Sequence, residues 1–102
     1  VFNIITRKAL LQYANQYPDA ANSLFEWYHD LLVLEISNFN ELKKEFPSAS
    51  IIGDNRVVFN IKGNHYRLIV RLLFEYKAIQ IKWFGPHKDY DKINAKTISF
   101  KN

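Results

Sequence analysis

The feature that most limits the fold is a change of hydrophobic period at Gly53-Asp54-Asn55. Before it, apolar residues recur every three or four positions: Ala9, Leu10, Tyr13 and Ala14 form one series, and Leu24, Trp27, Tyr28, Leu31 and Leu32 another. That is the spacing of a buried helical stripe, so Trp27 and Tyr28 read as core rather than as base-stacking platforms. After it, apolar residues fall on every second position, the period of a strand. Val57, Phe59 and Ile61 alternate with Arg56, Val58, Asn60 and Lys62, and Tyr66, Leu68, Val70 and Leu72 alternate with His65, Arg67, Ile69 and Arg71. The third run sets Ile79, Ile81 and Trp83 against Gln80, Lys82 and Phe84.

Punctuation residues complete the element order. Phe2–Ile5 reads as a short strand, and Thr6 as the N-cap of a helix through Tyr17. Pro18 and Asp19 suit the first turn of a second helix, and Asn38 with Glu41 forms a capping box for a third that ends before Pro47. Gly63-Asn64 marks a hairpin connection, Glu75-Tyr76-Lys77 a second connection, and Gly85-Pro86 the end of the last strand before a short helix to Ile93. The expected fold is α+β, with N-terminal helices packed on one face of a mostly antiparallel β-sheet and a short C-terminal helix. At 102 residues, with no linker or repeat, the chain reads as a single domain over 1–102.

Composition narrows the function classes. Cys is absent, which excludes thiolate chemistry, disulfides and a Cys-based zinc site. Three His without helical i, i+4 pairing point away from a metal, and no cofactor is expected. No apolar run approaches the ~20 residues that span a bilayer and no signal pattern opens the sequence, so a cytoplasmic location without membrane attachment is expected. Met is absent even at position 1, so the initiator is expected to have been lost.

Charge is unevenly placed. The first 52 residues carry four basic and six acidic side chains, and the last 50 carry ten and four. The basic half is the alternating half, so the sheet face turned away from the helices should gather Asn60, Lys62, His65, Arg67, Arg71, Gln80 and Lys82, free of acidic partners. Guanidinium groups match phosphate oxygens in pairs, so such a face is a candidate phosphate cradle. His65, His87 and Tyr90 are the candidate proton-transfer groups; no Ser nucleophile elbow or phosphate-binding Gly loop is present.

The run Asn55-Arg56-Val57-Val58-Phe59-Asn60-Ile61-Lys62-Gly63-Asn64-His65-Tyr66-Arg67-Leu68 resembles the HigB family of bacterial toxins, within the wider RelE/ParE superfamily. The similarity continues through Phe84-Gly85-Pro86-His87-Lys88-Asp89-Tyr90-Asp91-Lys92-Ile93, which matches a G-x-H-x-x-Y-D ending. It also touches Tyr17-Pro18-Asp19-Ala20 and Phe46-Pro47-Ser48-Ala49. The resemblance implies a ribosome-dependent, metal-independent messenger-RNA endonuclease that contacts ribosomal RNA and is neutralised by a helix-turn-helix antitoxin of HigA type. Under it, Arg67 is assigned to the reacting phosphate. His87 and Tyr90 take the proton-transfer positions, with His65 as the rival acid or base. Arg71 and Lys82 are assigned to adjacent phosphates or bases, and Arg56, Lys62 and Lys92 to further RNA contacts. Two alternatives stand beside this reading: a ParE-like toxin that inhibits gyrase, and an RNA-binding module that cleaves nothing.

Overall fold

The computed structural model describes residues 2–4 and 6–99. β1 (Asn3–Ile4) leads into α1 (Arg7–Gln16), and a 3-10 turn at Pro18–Ala20 runs straight into α2 (Ala21–Leu32). α3 (Phe39–Glu45) closes the helical half. β2 (Ser50–Gly53), β3 (Arg56–Ile61) and β4 (Tyr66–Leu73) follow, then a 3-10 turn at Phe74–Tyr76, β5 (Ala78–Pro86) and the single-turn α4 (His87–Tyr90). The strands form one sheet in the order β1-β5-β4-β3-β2, with β1 parallel to β5 and every other pair antiparallel. The protein is α+β, as the change of period indicates.

Local chemistry accounts for most boundaries. Asn38 caps α3 by accepting the Glu41 N–H at 2.9 Å, and the Glu41 carboxylate reaches back to the Ser37 N–H at 2.7 Å. Thr6 departs from expectation: its hydroxyl does not cap α1 but accepts the Ile81 N–H of β5 at 2.6 Å, fastening the first helix to the sheet. Pro18 opens a separate 3-10 turn rather than α2 itself. β2 pairs with β3 just before the Gly53-Asp54-Asn55 turn, where alternation was not yet legible. Ile5, the expected end of the first strand, lies outside the described residues.

The core sits between the helices and one face of the sheet. Leu10, Ala14, Leu24, Trp27, Leu31 and Leu42 meet Val57, Phe59, Leu68, Val70, Leu72, Ile79, Ile81 and Phe84, all buried. Edge-on aromatic contacts join the layers: Trp27 to Phe59 at 5.3 Å, Phe46 to Phe59 at 5.1 Å, and Tyr17 to Phe84 at 5.8 Å. Phe84 is a correction to strict alternation, which sets it opposite the core and Trp83 within it. The register of β4 against β5 shifts between Ile69↔Trp83 and Val70↔Ile81, so Lys82 is an extra residue in β5. A bulge of this kind reverses the parity of everything beyond it, turning Phe84 inward and Trp83 outward.

Lys62 is a second correction. It lies at the end of β3 with φ 53°, and its ammonium pairs with Asp19, in the turn before α2, at 3.3 Å. It therefore leaves the face it was expected to share with Arg67. The Asp19 carboxylate also accepts the Tyr66 hydroxyl, with both oxygens at 2.8 Å. Burial first, and then this carboxylate, push the Tyr66 phenol up to about 12. The same hydroxyl, with Lys62, holds the Asp19 carboxyl below its ordinary value.

The signs follow from linkage. Tyr66 binds its proton more tightly folded than unfolded, so its stabilisation is complete below the ordinary value of 10 and is lost as pH rises towards about 12. Asp19 acts in the opposite sense: its stabilisation is present above the unfolded value and is lost as pH falls through the lower folded one. Urea melts of Tyr66→Phe should therefore decline less steeply than wild type in both windows. Parallel pH profiles for the two proteins would show that the pair is energetically silent.

Candidate nucleic-acid interface

Cross-strand register sorts the sheet face turned away from the core into rows. Asn60, Arg67 and Gly85 form one; Val58, Ile69 and Trp83 the next; Arg56, Arg71 and Gln80 the third. The side chains expected to converge on a single ligand are thus divided by an apolar row. Val58 is 4% exposed and Ile69 0%, although neither belongs to the helix-side core.

The third row is committed to protein contacts. Arg56, expected to bind RNA, is buried at 5% exposure, and its guanidinium donates to the carbonyls of Ala95 and Ile98 at 3.0 and 2.7 Å. It seats the C-terminal segment on this part of the sheet. Arg71 donates to the Asp54 carbonyl at 3.1 Å and reaches the Asp54 carboxylate at 3.4 Å, so the basic face does have acidic partners. Lys82 stands in the bulge beside them. Desolvation first, and then the charges of Arg56 and Arg71, push its ammonium below the ordinary lysine value. Arg71 and Lys82 remain half-buried and within reach of a polyanion, whereas Arg56 is turned to the tail.

The first row carries the open chemistry. Arg67 donates to the carbonyls of Asn64 and Tyr66 at 3.1 and 3.2 Å, contacts that leave guanidinium donors for an incoming anion. Opposite it, Gly85 leaves room for an aromatic lid. A Cβ at Gly85 would stand 2.7 Å from Cη2 and Cζ2 of Trp83, so the indole lies where that side chain would be. The Tyr90 ring follows at 6.3 Å from the indole, tilted by 49°. At the same end of the sheet, the His87 N–H donates to the His65 carbonyl at 3.0 Å, so the β3–β4 turn and the start of α4 are joined through their main chains. Both His residues are exposed, and His87 Nε2 lies 3.8 Å from the Asp91 carboxylate. Lys92 is exposed just beyond α4.

Arg67, His65, His87 and Tyr90 are therefore gathered at one end of the sheet, Arg71 and Lys82 stand on the far side of the apolar row, and Lys62 and Arg56 are engaged elsewhere. Sequence reasoning missed Trp83, which it placed in the core. With two bulky aromatics adjacent at Trp83-Phe84, side-chain size could not choose between them; the apolar series Ile79, Ile81, Phe84 was the available sign of a bulge.

Helices against one face of a small, mostly antiparallel sheet, with cationic and aromatic side chains on the other, are consistent with a RelE-like fold. Residues 20–93 match the family model described as HigB toxin, the RelE-like toxic component of a toxin–antitoxin system. The chain belongs to that family. It is 30% identical over 95 residues to the mRNA interferase toxin HigB of Escherichia coli K12, covering 91% of each chain. The proteins named mRNA interferase HigB in Escherichia coli O157:H7 and in Shigella flexneri show the same identity and coverage.

Gly85→Ala tests the aromatic lid. The methyl group cannot coexist with the present indole position, so Trp83 should swing away from Tyr90 with a shift in its indole N–H resonance. An unchanged Trp83 resonance would mean that the backbone, not the indole, yields.

Proposed function

We propose that this chain is the mRNA-cleaving toxin of a toxin–antitoxin system, acting in the cytoplasm on messages engaged with the ribosome and without a metal ion. The observation that carries the reading is the grouping of Arg67, Trp83, Tyr90 and the joined His65 and His87 segments at one end of the sheet in a member of the HigB family. The names of the Escherichia coli and Shigella relatives supply the reaction class. A partner antitoxin follows from the family, and a helix-turn-helix protein of HigA type is the form proposed.

RNA provides its own nucleophile. The 2′-hydroxyl attacks the adjacent phosphorus, a new O2′–P bond forms and the P–O5′ bond breaks, leaving a 2′,3′-cyclic phosphate and a 5′-hydroxyl. A base must take the 2′ proton, an acid must supply one to O5′, and a cation must stabilise the charge gathered on the phosphorane. Arg67 is the group for that charge. His87 is assigned the proton transfer, with Tyr90 as donor or stacking surface, and His65 is the rival acid or base. Trp83 offers a flat ring beside Tyr90 for an unstacked base, the usual way single-stranded RNA is held. Arg71, Lys82 and Lys92 are assigned to the message backbone, so docking should weaken with salt.

Arg67→Ala should slow single-turnover cleavage on programmed ribosomes by ~10²–10³-fold while the fold survives. His87→Gln should cost ~10²–10⁴-fold with message binding nearly kept, and Tyr90→Phe separates the hydroxyl from the ring. Full rate in His87→Gln with loss in His65→Gln would move the proton transfer to His65.

A second measurement addresses the nucleophile. A single 2′-deoxy nucleotide 5′ to the cut should abolish cleavage, and the upstream wild-type product should end in a 2′,3′-cyclic phosphate while the downstream one begins with a 5′-hydroxyl. Products ending in 3′-hydroxyl and 5′-phosphate would replace this route with attack by an activated water.

A further inference from the structure

The helix side of the molecule has the opposite character. Grooves of about 300, 300 and 410 Å³ adjoin around α2, and Asp30 lines all of them. Glu26 and Glu45 rim the same region. The cation at one end, Lys62, is already held by Asp19. Between the carboxylates the walls are aromatic: Trp27, Phe46 and Phe59 line the first groove. Phe25 on α2 is 39% exposed and Val33, the residue just past its end, 61%, eight positions apart and so within one helical stripe.

Two features point to an occupant. Trp27 is 5% exposed, yet its indole N–H has no acceptor among the described residues. A buried donor without an acceptor is destabilising, so a partner that supplies one is favoured at this position. The edge of β3 is also open here. The Leu72 N–H donates to the Asn55 carbonyl at 2.8 Å, which fixes the phase of the β3–β4 ladder. Residues at odd positions of β3 then exchange bonds with β4, and the N–H and C=O of Asn60 turn to the β2 side. Pairing with β2 stops at Ser50↔Val58, so among the described residues no strand stands beside Asn60, which lines the groove.

We propose that this acidic, aromatic groove and the adjoining Phe25–Val33 stripe form the docking surface for the antitoxin, which would place on it a segment carrying an arginine beside apolar side chains. The guanidinium would lie between Glu26 and Asp30 over the Phe46 ring, where charge pairing and a cation–π contact reinforce one another. Backbone or side-chain acceptors of the same segment would meet the Trp27 indole and the Asn60 N–H. RNA is disfavoured on this surface, because its phosphates would face the carboxylates. The inference rests on the chain's reading as a toxin with a protein antidote.

The test uses the full chain and the purified antitoxin encoded beside it. Glu26→Lys/Asp30→Lys should lower affinity for the antitoxin by about 100-fold and abolish neutralisation on co-expression. Its message cleavage should stay near wild type. Phe25→Ser/Val33→Ser, which leaves the charges in place, should weaken the complex independently, and Arg67→Ala should bind as wild type does. Unchanged antitoxin affinity in Glu26→Lys/Asp30→Lys overturns the proposal, as does loss of affinity confined to Arg67→Ala. The underlying function is tested separately by cleavage with the unmodified chain, so its failure is distinguishable from failure of the docking surface.

Discussion

Lys82 is an extra residue in β5, and the two faces of the sheet depend on it. Side chains in a strand alternate without exception, so the last strand can serve the core at Ile79 and Ile81 and again at Phe84 only if the parity reverses between them. The bulge makes that reversal. Phe84 then joins Tyr17 and Tyr66 inside, Trp83 lies over Gly85 outside, and Gly85 comes opposite Arg67. Without the extra residue the indole would enter the core and the phenyl ring would lie on the opposite face. Bulges commonly re-aim side chains beside active sites, and this one builds the aromatic wall of the proposed site.

Electrostatics divides the molecule along the same plane. The helical half is acidic and the strand half basic, so stacking one layer on the other produces two unlike surfaces. The basic layer is not uniformly available. Arg56 is spent on the C-terminal segment and Lys62 on Asp19, while Arg71 leans on Asp54. What remains open is concentrated near Arg67, at the end where α4 returns over the sheet. The acidic layer, with its grooves about Asp30, is suited to a protein partner rather than to RNA.

Most of the fold could be read from the sequence. The helical stripe through Leu24, Trp27 and Leu31 and the alternation through β3 and β4 are burial patterns, and burial is what drives these elements together. Asn38 and Glu41 marked the start of α3 because capping is a local hydrogen-bond requirement. Thr6 satisfied the same local pattern and yet went to Ile81, since a tertiary donor competed for its hydroxyl. β2 was missed because an edge strand of this length carries too little alternation to register.

For the proposed site, the chain itself supplied the candidates, Arg67, His65, His87 and Tyr90, and twofold spacing put Arg67 on the face away from the core. Tertiary structure alone decided which of the cations are free and which aromatic stands beside them. Lys62 leaves the face because a left-handed turn residue swings it to Asp19, and Arg56 leaves it because two distant carbonyls at Ala95 and Ile98 take its donors. Trp83 enters because one inserted residue reverses the strand's parity. Spacing along a chain specifies faces only while the period holds; pairing across about forty residues and a break in the ladder are properties of the folded sheet.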